Sequence, residues 1–168
     1  MDVLTPEQRH YNMSKIHSKD TKPEIIVRKW LWCQGYRYRL HRKDLPGKPD
    51  IVLPKYNGII FIHGCFWHRH NCKYASDPKT NIEFWDKKLN DNVQRDKKNI
   101  KELKNLGWRV LVIWECEIKK WDSKIEKKMR NFLHDNIIQN KAGNIYYDIS
   151  NENVKYAAEN EESYSAKK

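Results

Sequence analysis

The densest cluster of reactive side chains in this sequence lies between positions 63 and 72. The spacing Cys65-x4-His70-x-Cys72 brings three soft or borderline metal ligands within a short stretch of chain. Cys116, at the end of a later apolar segment, could complete a Cys3His set. Four protein ligands leave no open position for water, so such a zinc site would be structural. The alternative is that some of these cysteines are small buried hydrophobic residues.

Two common classes of zinc enzyme are excluded by the same stretch. His63-Gly64-Cys65 stands where a zinc deaminase requires His-x-Glu, and no Pro-Cys-x-x-Cys motif follows it. The His-Glu-x-x-His motif of the commonest zinc proteases is also missing from the sequence. A zinc ion here would therefore hold the loop in place rather than carry out catalysis.

Two histidines and two acidic residues are candidates for catalysis. One zinc ion with three cysteines uses a single histidine, which leaves His63 and His68 free for proton transfer. Asp50 follows a proline and opens a predicted central strand, where its carboxylate could hold Mg²⁺ at the edge of the sheet. Asp50 also fits a turn, and Glu24 fits the acidic position of a capping box. A structural and a catalytic role can coexist at either residue.

The same loop contains two large aromatic residues. Phe66 and Trp67 are unusual in a loop unless they are buried or insert into a ligand. The whole chain has seven Trp and nine Tyr, which is many for so polar a sequence. Ordinary core packing accounts for most of them, but aromatic side chains beyond the needs of a core can stack on nucleic-acid bases. The loop is therefore a candidate ligand-facing surface.

The net charge favours a nucleic acid as the partner. Lys and Arg number 33 against 22 Asp and Glu, so the formal charge is +11. No apolar run reaches the roughly 18 residues of a membrane span, and the first residues lack the apolar core of a signal peptide. We expect a protein of a reducing compartment, the cytosol or nucleoid, whose cysteines are thiols or metal ligands rather than disulfides. Cys33, with no cysteine or histidine near it, is predicted to be a small buried hydrophobic residue.

Capping signals and apolar spacing predict four helices. Thr5 and Thr21 each precede a proline and, three residues on, a Gln or Glu, which marks two helix starts. The predicted helices run from Pro6 to about His17, from position 22 to just before Gly35, from Glu83 to Leu106, and from Ser123 to about Ile138.

The remaining apolar runs predict strands over 36–40, 51–53, 59–62 and 108–114, the second and third paired at the centre of a sheet. Strands interleaved with helices predict an α/β fold. A chain of 168 residues fits one domain. We expect residues 1–150 to form that domain and the polar residues 151–168 to form a mobile tail.

Five motifs resemble, in order and with compatible gaps, those of the very-short-patch-repair mismatch endonucleases. They are PGKPD at 46–50, FIHGCFWHRHNC at 61–72, EFW at 83–85, NVQRD at 92–96 and LGWRVLVIWEC at 106–116. The match runs from about Asn12 to the final helix and covers most of the chain.

This resemblance implies a restriction-endonuclease-like fold, in which helices flank a central mixed sheet and a zinc site is structural. It also implies an Mg²⁺-dependent endonuclease that nicks one strand of double-stranded DNA beside the T of a T:G mismatch. Such a mismatch arises when 5-methylcytosine deaminates, and the nick initiates very short patch repair. Mismatch-repair proteins are further candidate partners, and a monomer is expected.

The resemblance also implies roles for particular residues in catalysis and metal binding. Asp50 and the backbone carbonyl of Ile62 would hold Mg²⁺. His68 would be the base for the attacking water, while Glu24 and His63 would orient waters on the metal. The implied zinc ligands are Cys65, His70, Cys72 and Cys116.

Recognition of DNA is assigned to two groups of residues by the resemblance. Wedge residues would enter the base stack, and Lys88 and Asn92 on the long helix would read the mispaired bases. The implied wedges are Phe66, Trp67 and Trp85 from the major groove, and Met13, on the N-terminal helix of about 6–17, from the minor groove. A mismatched step is cheaper to unstack than a paired one, which makes side-chain wedges physically reasonable.

The sequence departs from the wider nuclease superfamily at one strand. Phe61-Ile62-His63 occupies the position of the usual Asp/Glu-x-Lys motif, and the mismatch-specific branch shares this loss. Ile62 stands where a threonine is familiar, which matters little if only its backbone carbonyl binds metal. Two alternatives remain: a zinc-stabilised DNA-binding module without catalysis, and a restriction-type endonuclease that cuts both strands.

Overall fold

The computed structural model of the chain describes residues 5–15, 19–134, 137–139 and 145–147. The described helices are α1 Pro6–Ser14, α2 Lys22–Cys33, α3 Ile82–Asn105, α4 Glu115–Lys120 and α5 Ser123–His134. The described strands are β1 Arg39–Leu40, β2 Ile51–Leu53, β3 Gly58–His63, β4 Arg109–Trp114, β5 Ile137–Gln139 and β6 Ile145–Tyr147.

A four-stranded mixed sheet lies at the centre of the molecule, in the order β1-β2-β3-β4. β1 pairs with β2, and β2 with β3, in antiparallel fashion, whereas β3 and β4 are parallel. Parallel neighbours need a long crossover, and the 24 residues of α3 provide it. In this register His63 lies opposite Trp114 at the ends of β3 and β4. The predicted α/β fold and the pairing of the two central strands are therefore confirmed.

Alternating side chains of β2, β3 and β4 pack on opposite faces of the sheet. One face packs against α2, α4 and α5, where Val27, Leu31 and Met129 are fully buried. The other face packs against α3 through Leu103. Because side chains alternate along a strand, His63 lies on the same face as Phe61, and Trp114 on the same face as Val112. α3 packs on this face, so that helix lies over the residues at the ends of β3 and β4.

The two N-terminal helices begin at the predicted capping residues. The Thr5 side chain accepts a hydrogen bond from the Gln8 backbone N–H, and Gln8 Oε1 accepts one from the Thr5 backbone N–H, which completes a capping box. Thr21 likewise accepts the Glu24 backbone N–H at the start of α2. α1 ends at Ser14, while the last residues of the predicted helix, 16–18, lie outside the described part of the chain.

Three predictions about local structure are wrong. The last helix ends at His134 rather than near Ile138, and Ile137–Gln139 pairs with β6 in a separate two-stranded sheet. Cys33 is exposed, because it lies about 200° around the helix from the buried Leu31. The first strand contains only Arg39–Leu40.

One short helix, α4, was not predicted, because it follows β4 without an intervening turn signal. The predicted tail, 151–168, lies outside the described residues. Among the helices that are described, none combines the length and apolar character that a bilayer crossing requires.

Candidate active site

A cleft of about 960 Å³ opens at the end of the sheet where β2 begins and β3 ends. Its walls come from the start of α2, the loop before β2, the end of β3, the loop after β3 and the middle of α3. The candidate catalytic residues that line it are Glu24, Asp50, Ile62, His63 and His68. Residues that are far apart in the sequence therefore meet at one edge of the sheet.

Asp50 is fixed at this edge by the backbone of the neighbouring strand. Its Oδ2 accepts the Ile62 N–H at 2.8 Å, one step beyond the last ladder pair, Ile51 and Ile60. Burial, together with the negative charge of Glu24 and against the hydrogen bond from Ile62, raises the pKa of Asp50 to about 6. Desolvation therefore leaves this carboxylate short of compensating charge, which is the condition under which a carboxylate favours a bound cation.

Glu24 is buried in the first turn of α2, with both carboxylate oxygens hydrogen-bonded. Oε1 accepts the Thr21 hydroxyl at 2.9 Å, and Oε2 accepts the Asp20 backbone N–H at 3.1 Å and the Arg28 guanidinium at 2.5 Å. The predicted capping box is incomplete, because Glu24 accepts from the Asp20 N–H and the Thr21 hydroxyl rather than from the Thr21 N–H, and the same side chain also lines the cleft. Glu24 can therefore both support the start of α2 and line the cleft.

His63, His68 and Asp96 form a compact group on the wall formed by α3. The two imidazole rings stack with centroids 3.8 Å apart, and His68 Nδ1 lies 2.5 Å from Asp96 Oδ2. Burial, followed by the proximity of His68, lowers the pKa of His63 to about 4, so His63 is neutral at pH 7. Burial would raise the pKa of Asp96, but its hydrogen bond and charge interaction with His68 outweigh this and lower it.

The position of the His68 proton follows from these contacts. A carboxylate only accepts hydrogen bonds, so His68 must donate from Nδ1 to Asp96. In the neutral ring, Nε2 then carries the lone pair. His68 is thus held as the tautomer that can take a proton at Nε2.

The four predicted zinc ligands come together beside this group. Their ligand atoms all lie within 4.8 Å of one another, although Cys116 is distant from the others in sequence. His70 Nδ1 is 3.6 Å from Cys65 Sγ and 3.4 Å from Cys116 Sγ. A tetrahedral zinc ion with ordinary bond lengths would separate S and N ligands by about 3.6 Å, so the donor set fits zinc. The His70 ring also stacks on Trp114, with centroids 4.1 Å apart.

Three aromatic side chains, Phe66, Trp67 and Trp85, form a cluster near the mouth of the cleft, called the aromatic cluster below. Their ring centroids are 5.1 to 6.0 Å apart and the side chains are partly exposed. Lys88 Nζ lies 5.3 to 5.8 Å from the rings of Trp67, Trp85 and the exposed Phe84. Cation–π attraction of this kind stabilises the arrangement of an apolar surface beside a positive charge.

The loop that carries Trp67 and His68 is tied to α3 at several points. Asn92 donates from Nδ2 to the Trp67 carbonyl at 3.1 Å, and its Oδ1 accepts from Arg95. Arg69 forms an ion pair with Asp86 and a hydrogen bond to Asn90. Asn92 is therefore engaged in holding the loop, a structural role that its sequence position alone did not indicate.

One predicted DNA-binding residue does not line the cleft, and three residues without a predicted role lie beside the candidate catalytic groups. Met13 is partly exposed on α1 and is not among the residues that line the cleft. Asp96, Arg28 and His41 surround the candidate catalytic groups but had no predicted role. Asp96 is one helical turn beyond Asn92, and Arg28 one turn beyond Glu24, so i,i+4 spacing is a signal that could have found both. No comparable local signal marks His41.

Known proteins resemble this chain over most of its length. The family model for the DNA mismatch endonuclease Vsr matches residues 1–74. The type II nicking enzyme V.NmeAIP of Neisseria meningitidis serogroup A is 52% identical over 118 residues, which are 70% of this chain and 84% of that protein. The DNA mismatch endonuclease Vsr of Escherichia coli is 43% identical over 118 residues, 70% of this chain and 76% of that protein. Among solved structures, the catalytic domain of the homing endonuclease I-Bth0305I matches with a TM-score of 0.46 and 25% identity, over 67% of this chain and 94% of that domain.

Proposed function

Since this chain belongs to the family of the DNA mismatch endonuclease Vsr and its related nicking enzymes, we propose that it nicks one strand of duplex DNA beside the T of a T:G mismatch. Endonucleolytic hydrolysis of DNA is the activity common to this family. The mismatch would be the product of 5-methylcytosine deamination, and the nick would start very short patch repair. The observation that carries the proposal is the meeting of Asp50, Glu24, His63 and His68 in one cleft beside the aromatic cluster.

Asp50 and the backbone carbonyl of Ile62 are the proposed ligands of a catalytic Mg²⁺. Both offer hard oxygen donors, which suit Mg²⁺, and the raised pKa of Asp50 indicates a carboxylate that lacks compensating charge. When bound, Mg²⁺ would neutralise charge on the scissile phosphate and acidify a bound water. Asp50 accepts a hydrogen bond from Ile62 through Oδ2, and a carboxylate retains further acceptor sites for a cation.

His68 is the proposed general base. Asp96 holds the Nδ1 proton, which leaves Nε2 to take a proton from the attacking water. His63 is neutral at pH 7 and stacks on His68, so it limits the rotation of that ring without adding positive charge. Glu24 and His63 are proposed to orient water molecules in the cleft, and both side chains reach its wall.

Cys65, His70, Cys72 and Cys116 are proposed to hold a structural Zn²⁺. Their mutual distances fit a tetrahedral donor set, and all four positions are protein ligands, so no site remains for a reacting water. Such an ion would join the loop after β3 to the end of β4. It would thereby hold His68 and the aromatic cluster in a fixed relation to the cleft.

Recognition of the mismatch is proposed to depend on the aromatic cluster. Partly exposed rings beside a cleft can insert at a base step that is already weakly stacked. Lys88 and Asn92 are proposed to read the mispaired bases, and Met13 to approach from the minor groove. Asn92 would have to exchange its hydrogen bonds to Trp67 and Arg95 for contacts to a base, or keep them and act by holding the loop.

The proposal extends to the fold, the partners and the location. The restriction-endonuclease-like class is supported by the mixed sheet with Asp50 at its edge. The net charge of +11 supports a polyanionic partner. We further propose that the protein acts as a monomer in the bacterial cytosol, with mismatch-repair proteins as additional partners.

Cleavage of duplexes labelled on both strands tests this function. Matched and T:G duplexes are incubated with Mg²⁺ and either the wild-type protein or Asp50→Ala. We expect a nick in the T-containing strand of the T:G duplex only, and binding without cleavage by Asp50→Ala. Cleavage of both strands of a matched duplex would support a restriction-type enzyme instead. Binding without cleavage by the wild-type protein would indicate a DNA-binding module.

A further inference from the structure

A buried arginine lies directly behind the catalytic side of the cleft. Arg28, one helical turn after Glu24 on α2, is only 8% exposed. A buried charge is stable only when it is paired and hydrogen-bonded. Both terminal nitrogens of Arg28 are engaged, with three partners, Asp20 Oδ1 at 2.5 Å, Glu24 Oε2 at 2.5 Å and His41 Nε2 at 2.9 Å, while its buried Nε has no hydrogen-bond partner among the described residues.

The third of these contacts fixes the state of His41. An arginine has donors only, so its guanidinium must donate to His41, and Nε2 must accept as an unprotonated nitrogen. His41 thus holds the arginine in place through its Nε2. Asp20 holds the other end of the guanidinium from outside, where its side chain is 68% exposed.

Helix capping does not account for this arrangement. Thr21 already accepts the Glu24 backbone N–H and donates its hydroxyl to Glu24 Oε1, which covers the start of α2. Neither contact needs Arg28 or His41. A guanidinium buried between two acids and a histidine therefore requires a reason beyond the stability of the helix start.

The local charge supplies that reason. Glu24 and Asp50 are both acidic and line the same cleft, and the negative charge of Glu24 contributes to the raised pKa of Asp50. Arg28 opposes this effect at Asp50 and binds Glu24 directly. Without Arg28, Glu24 Oε2 would lose its charged partner, and the side chain would tend to turn away from the second carboxylate.

We propose that Arg28 is a positioning residue for the reaction: its guanidinium, fixed by Asp20 and His41, holds the Glu24 carboxylate in one orientation on the wall of the cleft. This proposal rests on the proposed nicking function and adds a residue to it. Arg28 does not touch the substrate and acts only through Glu24. Its planar guanidinium presents donors to the three partners in fixed directions, whereas the ammonium of a lysine is a compact point charge without that geometry.

The test is a double-mutant cycle, with one control variant, on the full-length, zinc-loaded protein. Arg28→Lys is compared with Lys29→Gln, a change at the exposed neighbouring position on the same helix. The readouts are the single-turnover nicking rate on a T:G duplex at saturating protein, the Kd for that duplex, and the Mg²⁺ concentration that gives half of the maximal thermal stabilisation. Glu24→Gln and the Arg28→Lys, Glu24→Gln double variant complete the cycle.

We expect Arg28→Lys to slow nicking by about 10-fold to 100-fold, the effect of a catalytic group misplaced by about an ångström. The Kd should stay within about twofold, and the half-stabilising Mg²⁺ concentration should rise. In the Glu24→Gln background the same substitution should have no further effect on the rate. Lys29→Gln should behave as wild type.

Two results would overturn the proposal. One is a folded Arg28→Lys protein that nicks at the wild-type rate. The other is a loss of nicking rate on Arg28→Lys substitution that is as large in the Glu24→Gln background as in the wild-type background. If Arg28→Lys does not fold, Asp20→Asn decides, because it loosens the guanidinium from the exposed side; a wild-type rate there counts against the proposal. A wild-type protein that leaves the T:G duplex intact would instead refute the proposed function.

Discussion

Replacing Asp50 by asparagine should make the magnesium-free protein more stable at neutral pH while abolishing nicking. The pKa of Asp50 is raised from 3.8 to about 6, chiefly by burial and then by the charge of Glu24. A raised pKa means that the fold prefers the protonated carboxyl. The contribution of Asp50 to stability is therefore fully present below pH 3.8 and is lost as the pH rises through 6.

The size of the effect follows from the same two pKa values. A difference of about 2 corresponds to a penalty of ~3 kcal/mol once the carboxylate is ionised in both states, and ~1.5 kcal/mol at pH 5. Water in the cleft reaches part of this side chain, so we expect ~1–3 kcal/mol at pH 7. Asparagine removes the charge and keeps an oxygen that can accept the Ile62 N–H.

Urea denaturation of both proteins at several pH values between 5 and 8, in zinc-containing and magnesium-free buffer, measures this difference. Ionisable groups other than residue 50 are present in both proteins, so their contributions to the pH dependence of the free energy of unfolding cancel in the difference. Asp44→Asn is the matched control, because the hydrogen bond from Arg42 lowers the pKa of this exposed carboxyl and its loss should give no stabilisation. Added Mg²⁺ should stabilise the wild type and have little effect on Asp50→Asn. An Asp50→Asn protein that is no more stable than wild type at pH 7, or a gap that widens on acidification, would refute the reasoning.

Four further substitutions separate the roles of neighbouring residues. His68→Ala should slow nicking by about 100-fold or more and retain zinc, whereas Cys72→Ala should lose zinc and unfold; equal zinc contents in a metal assay would contradict this division. Asp96→Asn should slow nicking without weakening DNA binding, because His68 loses the carboxylate that fixes its tautomer; an unchanged single-turnover rate would exclude that role. Trp85→Ala should weaken binding to the T:G duplex more than to a matched one, which competition binding measures.

Local sequence signals predicted the elements that begin or end at a chemically distinctive residue. Thr5 and Thr21 marked two helix starts because a hydroxyl that accepts a backbone N–H is a local device. Gly107 ended α3 with a positive φ of 83°, a conformation that glycine adopts without strain. The central strands were found because apolar runs between turn residues are equally local.

The failures have equally specific causes. Ile137 and Ile138 fitted the helical spacing of α5, but β-branched residues also suit a strand, and pairing with β6 decides between the two. α4 starts directly after Trp114, so no turn residue separates it from β4. Cys33 was assigned to the core from its residue type, although its angle around α2 from Leu31 would have placed it outside.

The candidate site also contains residues that the sequence predicted and contacts that it did not. The residues with distinctive chemistry, Asp50 and the cluster between 63 and 72, could be found from their types and spacing. The contacts that orient them could not, since Asp96 approaches His68 across 28 positions and His41 approaches Arg28 across 13. Such partners are chosen by the packing of α3 and of the loop before β2, which a single sequence does not specify.

The parallel register of β3 and β4 has a consequence for the order of folding. His63 lies opposite Trp114, and Cys65 and Cys116 each follow two residues later, so the pairing of the strands sets the distance between the two thiols. A slip of one residue would displace Cys116 by about 3.3 Å and break the set of four ligands. An ion that needs all four would bind only the correctly paired chain, after the slow long-range pairing is complete. Metal binding at the four ligands would then stabilise the native strand register, while chains with a slipped register would stay metal-free and would be able to pair again.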